Sequence, residues 1–235
     1  TKALASSYKI LKLHLREIRL HSTLFKSEFK IGLPSGIQSC LYAITNIIIQ
    51  TSINGFGTDT AAAWAAYGKL DAIFWTVCGA FGIAVTTFAG QNYGAQKYDR
   101  VKKSTRVCLL MALGTSFVLV TFLFLACRPL YHIFTTDQKV IDTGVWMLRL
   151  IVPSYMLFVF IEILSGSLRG IGDVIIPTLI TLGGVCLVRV PMALILTPMT
   201  GEVSTLIYSY PVSWGVTILL LIPYFFYIKK KKLSE

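Results

Sequence analysis

An all-α membrane protein with six spanning helices and both ends in the cytoplasm is the fold class the sequence predicts, on three observations. Hydrophobic residues make up 54% of the 235 and charged ones only 14%, whereas about a quarter of a soluble domain is charged. Four charge-free runs, Ile31 to Thr58, Ala72 to Gln96, Val107 to Cys127 and Val203 to Ile228, each reach the roughly 20 residues a spanning helix needs. The third observation is where the basic residues fall. If the N-terminus is cytoplasmic, those of residues 1–30, the cluster from Lys97 to Arg106, Arg169 and Lys229 to Lys232 are all inside, and only Arg128 and Lys139 are outside. This positive-inside imbalance accounts for the net charge of +11 without any nucleic acid as partner.

Residues 1–30 come first. In YKILKLHLREIRLH, Leu11, Leu15 and Ile18 share a helical face while Lys9, Lys12, Arg16 and Arg19 lie mostly elsewhere. The stretch is either a basic amphipathic helix on the anionic inner leaflet or a solvated cytoplasmic linker, and not a seventh span. No signal peptide precedes it, and an opening on Thr1 rather than methionine suggests a piece of something longer.

The first span, 31–55, begins at GLPSG, where Pro34 is tolerated near a helix start. Gln38, Tyr42, Asn46, Gln50 and Asn54 recur every fourth position and form one slanting polar stripe. Such a stripe cannot face lipid, so it either lines a wet cavity or joins helices through amide hydrogen bonds. The second span, 61–90, carries Lys69 and Asp71, two apart and therefore not an intrahelical pair, each either structurally paired or taking part in cation handling. Gly79, Gly82 and Gly90 allow close helix approach there. The third span, 104–127, is chemically plain. The fourth, 140–168, holds Pro153, expected to kink it, and Glu162. The fifth, 174–197, holds Arg189, and the sixth, 204–228, has Pro211 and Pro223 with Tyr208, Tyr210 and Trp214 before the basic tail of residues 229–235. Prolines are expected to break this last helix where protein or water satisfies the freed backbone.

Other chemistries find little support. The five cysteines stand singly in or beside apolar runs, and the three histidines show no metal spacing. No HExxH, GxSxG or aspartate dyad occurs in the spans, so the reading is not an enzyme and needs no cofactor.

GLPSG opening one span, GQNYGA closing the next, and SLRGIGD followed by Pro177 between the fourth and fifth resemble, in that order and spacing, the second half of a multidrug and toxic compound extrusion (MATE) transporter. The resemblance covers roughly Lys30 to Lys229. It implies a two-lobe, twelve-helix antiporter of a prokaryotic plasma membrane, whose cavity opens alternately to either side and expels small amphipathic organic cations in exchange for protons or sodium. The partner would be an N-terminal six-helix lobe, absent here, or another half, set among membrane lipids. Gly90, Gly94 and Ala95 would let the chain leave the second span, and Arg169 and Asp173 would bracket an inner loop whose Gly170 and Gly172 take up positive φ. These residues are assigned to the cytoplasmic gate and to helix packing.

Glu162 shares a helix face with Ser165, Gly166 and Arg169 and so points to the lobe interior, with Arg189 at mid-depth as its expected partner. The pair is either static or breaks and re-forms as a coupling device. Relatives are expected to couple through acids on the first, second and fourth spans of this lobe, or through an aspartate of the other lobe. The first span here has no carboxylate, which leaves Asp71 and Glu162. Tyr42, Tyr155, Phe158 and Trp214, with Gln38, Asn46 and Gln50, are the candidate cavity residues, either lining or packing. Alternatives are a flippase for lipid-linked precursors, which would want a more cationic cavity, an inactive half-transporter, and a channel or structural protein.

Overall fold

A computed structural model describes residues 21–233; most of the basic amphipathic stretch expected at the N-terminus lies outside the described residues. The chain divides into two compact units, Thr1–Leu33 and Pro34–Glu235. In the first, Phe25 and Phe29 stack one turn apart on a helix, with ring centroids 5.8 Å apart. Apart from the first residues of the first helix, all that follows concerns the second. Among the described residues every element is helical.

Helix α1, Ser22–Asn54, begins well before Pro34, which sits inside it rather than near its start. No glycine or proline interrupts the residues between Ser22 and Ile31, so nothing in the sequence delays the helix. Gly57, at φ 100°, makes the turn into α2, Thr58–Gly94, which has 37 residues. At 1.5 Å per residue it is about 55 Å long, well beyond a hydrocarbon core of roughly 30 Å. The exit from α2 differs from expectation: Gly90 stays within the helix, and the left-handed residue is Gln96, at φ 58°. Helix α3, Tyr98–Leu125, follows, then the short α4, Cys127–His132. Tyr131 of α4 lies against Gly144, where any Cβ would overlap its ring, and its hydroxyl donates to Ala63 O at 3.2 Å. Burial raises the pKa of that hydroxyl and keeps it a donor.

Helix α5, Gln138–Ile151, is capped by the Asp137 carboxylate, which accepts from the Lys139 N–H at 2.9 Å. Pro153 converts the chain to a single 3-10 turn, Val152–Ser154, before α6, Tyr155–Gly170. Helix α7, Ile175–Pro191, loosens into a π turn, Met192–Leu196, and continues as α8, Thr197–Thr200, ending at Gly201 with φ 65°. Helix α9, Val203–Lys232, runs unbroken through Pro211 and Pro223, contrary to the expected break.

Among the described residues five stretches are long and apolar enough to cross a membrane: α2, α3, Gln138–Gly170 (α5 with α6), Ile175–Thr200 (α7 with α8) and α9. Helix α1 is not among them, because the stripe that includes Gln38, Asn46 and Gln50 lowers its hydropathy.

Helix α2 packs against α6, α3 and α5, and α9 against α7 and α6. The α2–α6 contact brings two backbones close together. A Cβ at Gly170 would lie 2.5 Å from Thr86 O and 2.8 Å from Ala89 Cβ, and one at Gly90 would lie 3.2 Å from Gly170 O. The Thr86 hydroxyl is 2.8 Å from Gly82 O on its own helix and 2.9 Å from Gly166 O across the seam. Small residues permit this contact, and a hydroxyl then satisfies a carbonyl that lipid could not.

Candidate functional site: an aromatic cavity holding one acid and one arginine

A cavity of about 450 Å³ lies between α1, α2, α6, α7 and α9. Trp64, Tyr67, Asp71 and Trp75 reach it from α2, at spacings of three to four residues that put them on one helical face. Helix α1 contributes Tyr42, Asn46 and Gln50, α6 contributes Phe158, and α7 contributes Arg189. Tyr210 and Trp214 of α9 complete the wall.

Asp71 is held from both sides. One carboxylate oxygen accepts from the Trp75 indole N–H, one turn along the same helix, and the other from the Tyr155 hydroxyl of α6. The Tyr155 hydroxyl is also 2.7 Å from that of Tyr67. With the carboxylate ionised, Tyr155 spends its single proton on Asp71 and accepts from Tyr67, so the three groups form a directed chain. Tyr155 does not line the cavity, as its candidacy implied. It is fully buried behind the wall, stacked on Phe74 at 4.1 Å, and positions Asp71.

Arg189 does not pair with Glu162, contrary to the sequence expectation. Its Nε donates to Ser213 Oγ at 2.8 Å, and the guanidinium centre lies 4.1 Å from the Tyr210 ring centroid and 5.2 Å from that of Trp214. It is only 6% exposed, and its Nη2 has no hydrogen-bond partner. Glu162 instead accepts from Arg169, seven residues on, at 2.9 Å. The reason is geometric. Helical side chains lean toward the N-terminus, so a long arginine at the end of α6 reaches back over two turns to an acid below it. The Glu162 side chain lies over Gly82, where a Cβ would collide with it, and thus beside the α2–α6 seam rather than in the cavity wall.

The polar stripe of α1 serves both purposes open to it. Tyr42, Asn46 and Gln50 line the cavity, while Gln38 donates to Thr181 Oγ1 of α7 at 2.7 Å and acts as a joint. Thr45 Oγ1, 3.6 Å from Cys186 Sγ, is a second joint. Among the residues assigned to the gate, Gly172 does take positive φ, at 79°, but Gly170 is helical and serves the seam. Gly94 ends α2 with nothing near it. Asp173 accepts from the Tyr224 hydroxyl at 2.7 Å, so Arg169 and Asp173 tie the loop after α6 to α6 and α9 separately. Lys69 is exposed. Among the described residues no cluster of three His, Cys, Asp or Glu could hold a metal ion.

Sequence reasoning missed Trp64, Tyr67, Trp75 and Tyr210. The signal was available, since Trp64, Tyr67 and Trp75 share the helical face of Asp71.

Known proteins resemble this chain. The probable multidrug resistance protein YoeA of Bacillus subtilis is 27% identical over 218 residues, which cover 92% of this chain and 47% of that protein. Multidrug and toxin extrusion protein 2 of Oryctolagus cuniculus is 31% identical over 124 residues, 51% of this chain and 20% of its own length. Among solved structures, an outward-facing multidrug resistance MATE family transporter of the MOP superfamily superposes with a TM-score of 0.81 at 17% identity, over 89% of this chain and 46% of that one. A MATE crystallised in complex with MaL6 gives 0.84 at 15% identity, over 94% and 50%. The chain thus spans about half the length of YoeA and of both transporters. The MatE family model matches residues 34–195, well over half of the chain and all of the cavity wall except Tyr210 and Trp214, and the chain belongs to that transporter family.

Proposed function

We propose that this chain is one six-helix lobe of a secondary antiporter that exports amphipathic organic compounds in exchange for protons or sodium by alternating access, together with a second lobe. In this reading both termini are cytoplasmic and the protein resides in the cytoplasmic membrane of a prokaryote. The observation that carries it is Asp71: a carboxylate fixed by Trp75 and Tyr155 in an aromatic-walled cavity. Removing a carboxylate from bulk water makes its charged form costly, so binding a proton or sodium there changes which conformation is favoured. The rings around it suit flat cationic bodies. The names of the relatives, multidrug resistance and extrusion proteins, point the same way. Glu162, bound by Arg169 outside the cavity wall, is a second acid whose charge state would act through the α2–α6 seam.

The test uses the polypeptide at its native length. That length is first read in the native membrane with an antibody to the C-terminal segment, where a band near twice 26.0 kDa marks a two-lobe protein and one near 26.0 kDa a half that must pair. In proteoliposomes, Asp71→Asn is expected to lower uphill efflux driven by an imposed proton or sodium gradient at least about tenfold, with normal membrane insertion. Wild-type coupled efflux in that variant would sink the reading. A flippase for lipid-linked precursors draws support from Arg189 alone; tight binding of a pyrophosphate-bearing lipid without gradient-driven efflux would favour it.

A further inference from the structure

We infer that the cavity recognises its compound through two opposite charges at once, with Arg189 taking an oxyanion of the same molecule whose cationic aromatic body lies against Asp71 and the ring walls. The ligand class is then a zwitterionic amphiphile. The inference rests on reading this cavity as the transport site.

Both charges belong to one cavity, yet no ion pair joins them among the described residues. Each is instead held by neutral groups, Asp71 by Trp75 and Tyr155 and Arg189 by Ser213. Neither charge is neutralised by direct contact with the other. The nearby acid that could have claimed Arg189, Glu162, is taken by Arg169. The two sites differ in what they leave open. Both oxygens of Asp71 already accept, whereas Nη2 of Arg189 donates to nothing although the residue is almost wholly buried. A buried guanidinium with an open N–H is costly unless an acceptor arrives, and a charged acceptor satisfies it best. Tyr210 and Trp214 lie near the guanidinium, and Ser213 occupies Nε, so the acceptor must come to the Nη edge, from the cavity. Carboxylate and phosphate oxygens have the geometry for this, and a free zwitterion or a phospholipid headgroup could supply them.

The experiment measures binding of a matched pair of dyes to the purified native-length protein by fluorescence anisotropy at pH 8: rhodamine B, which carries a xanthylium cation and an ionised carboxylate, and its ethyl ester, which keeps the cation alone. Wild type is expected to bind the acid about tenfold more tightly than the ester, and Arg189→Gln to bring that ratio to about one by weakening the acid only. Arg189→Lys, which keeps the charge without the planar fork, should retain part of the preference; if the glutamine variant does not fold, the wild-type ratio and the lysine variant still decide. Should the dyes show no preference while short-chain dioctanoyl phosphatidylcholine displaces the ester from wild type, less readily from Arg189→Lys and not from Arg189→Gln, the headgroup phosphate is the oxyanion. Equal binding of both dyes with no effect of the lipid, or an equal loss for both in Arg189→Gln, would overturn the inference and leave the transport site standing. Binding of neither dye nor lipid would overturn both.

Discussion

The two faces of α2 are built on opposite principles. Toward α6 the contact is backbone on backbone, with Gly90 against Gly170 and Thr86 within hydrogen-bond reach of Gly166 O, and the Thr105 and Ser167 hydroxyls, 2.7 Å apart, tie α3 to the same helix. On the other face Trp64, Asp71 and Trp75 look into open space, across which α1 is joined to α7 by the side-chain contacts of Gln38 and Thr45. The outward positions Ile44 and Ile47 of α1 are 52% and 66% exposed. One helix thus presents a closely sutured side and, on the other, a charged site open to a cavity. Under the proposed antiport, a coupling carboxylate would need that division, because its surroundings can change usefully between two states only if its own position does not.

The sharpest way to break this contrast is to put a methyl group into the seam. Gly170→Ala would drive a Cβ onto Thr86 O and Gly90 N, both backbone atoms that cannot rotate away. The expected loss is about 2–3 kcal/mol, the upper part of the range for overpacked sites. On the same α2 helix, Gly79→Ala meets nothing within 4 Å and should gain up to about 1 kcal/mol from helix propensity. Thermal unfolding of the two variants in detergent decides the matter, and equal midpoints would mean that the seam is not tight.

A smaller effect is expected at the ion pair beside the seam. Arg169 and Glu162 are 25% and 23% exposed, so part of their attraction is screened. A double-mutant cycle of Glu162→Gln and Arg169→Gln should give a coupling of about 0.5–1 kcal/mol, above a typical surface pair only to the extent that the site is sheltered. Zero coupling would show that the two do not depend on each other, and would remove the route by which Glu162 could act on the seam.

How much of this was legible in the sequence follows from which interactions are local. Apolar runs bounded by basic clusters mark the helices, since length and charge decide who can sit in lipid. Asp71 stood out as an acid without an intrahelical lysine partner, and every fourth polar residue of α1 marked the stripe of which three members line the cavity. The choice of partner for Glu162 was not legible. Arg169 lies on its own helix face and Arg189 on the next helix, and only the lean of side chains toward the helix start, together with the place taken by Gly82, favours the former. Tyr155 shows the same limit. Its candidacy was right about the neighbourhood and wrong about the layer, because a period in sequence gives a face but not a depth.

The smallest effect concerns the other face, at Gln38. Its amide donates to Thr181 Oγ1 at 2.7 Å and lies 3.3 Å from the Tyr42 hydroxyl, one turn nearer the cavity wall. Hydrogen bonds between helices in a membrane average about 0.6 kcal/mol, so Gln38→Leu should hardly move the unfolding midpoint. Its consequence should lie in α1 alone. With that joint to α7 gone, α1 should depart more readily from the cavity, and Cys186 of α7, half-buried and 3.6 Å from Thr45 Oγ1, should react faster with a maleimide in a variant whose other four cysteines are replaced. A faster reaction at an unchanged midpoint would mark α1 as the adaptable wall. An unchanged rate would mean that α1 is held by more than its side-chain joints, and the contrast between the two faces of α2 would then be one of shape and not of freedom.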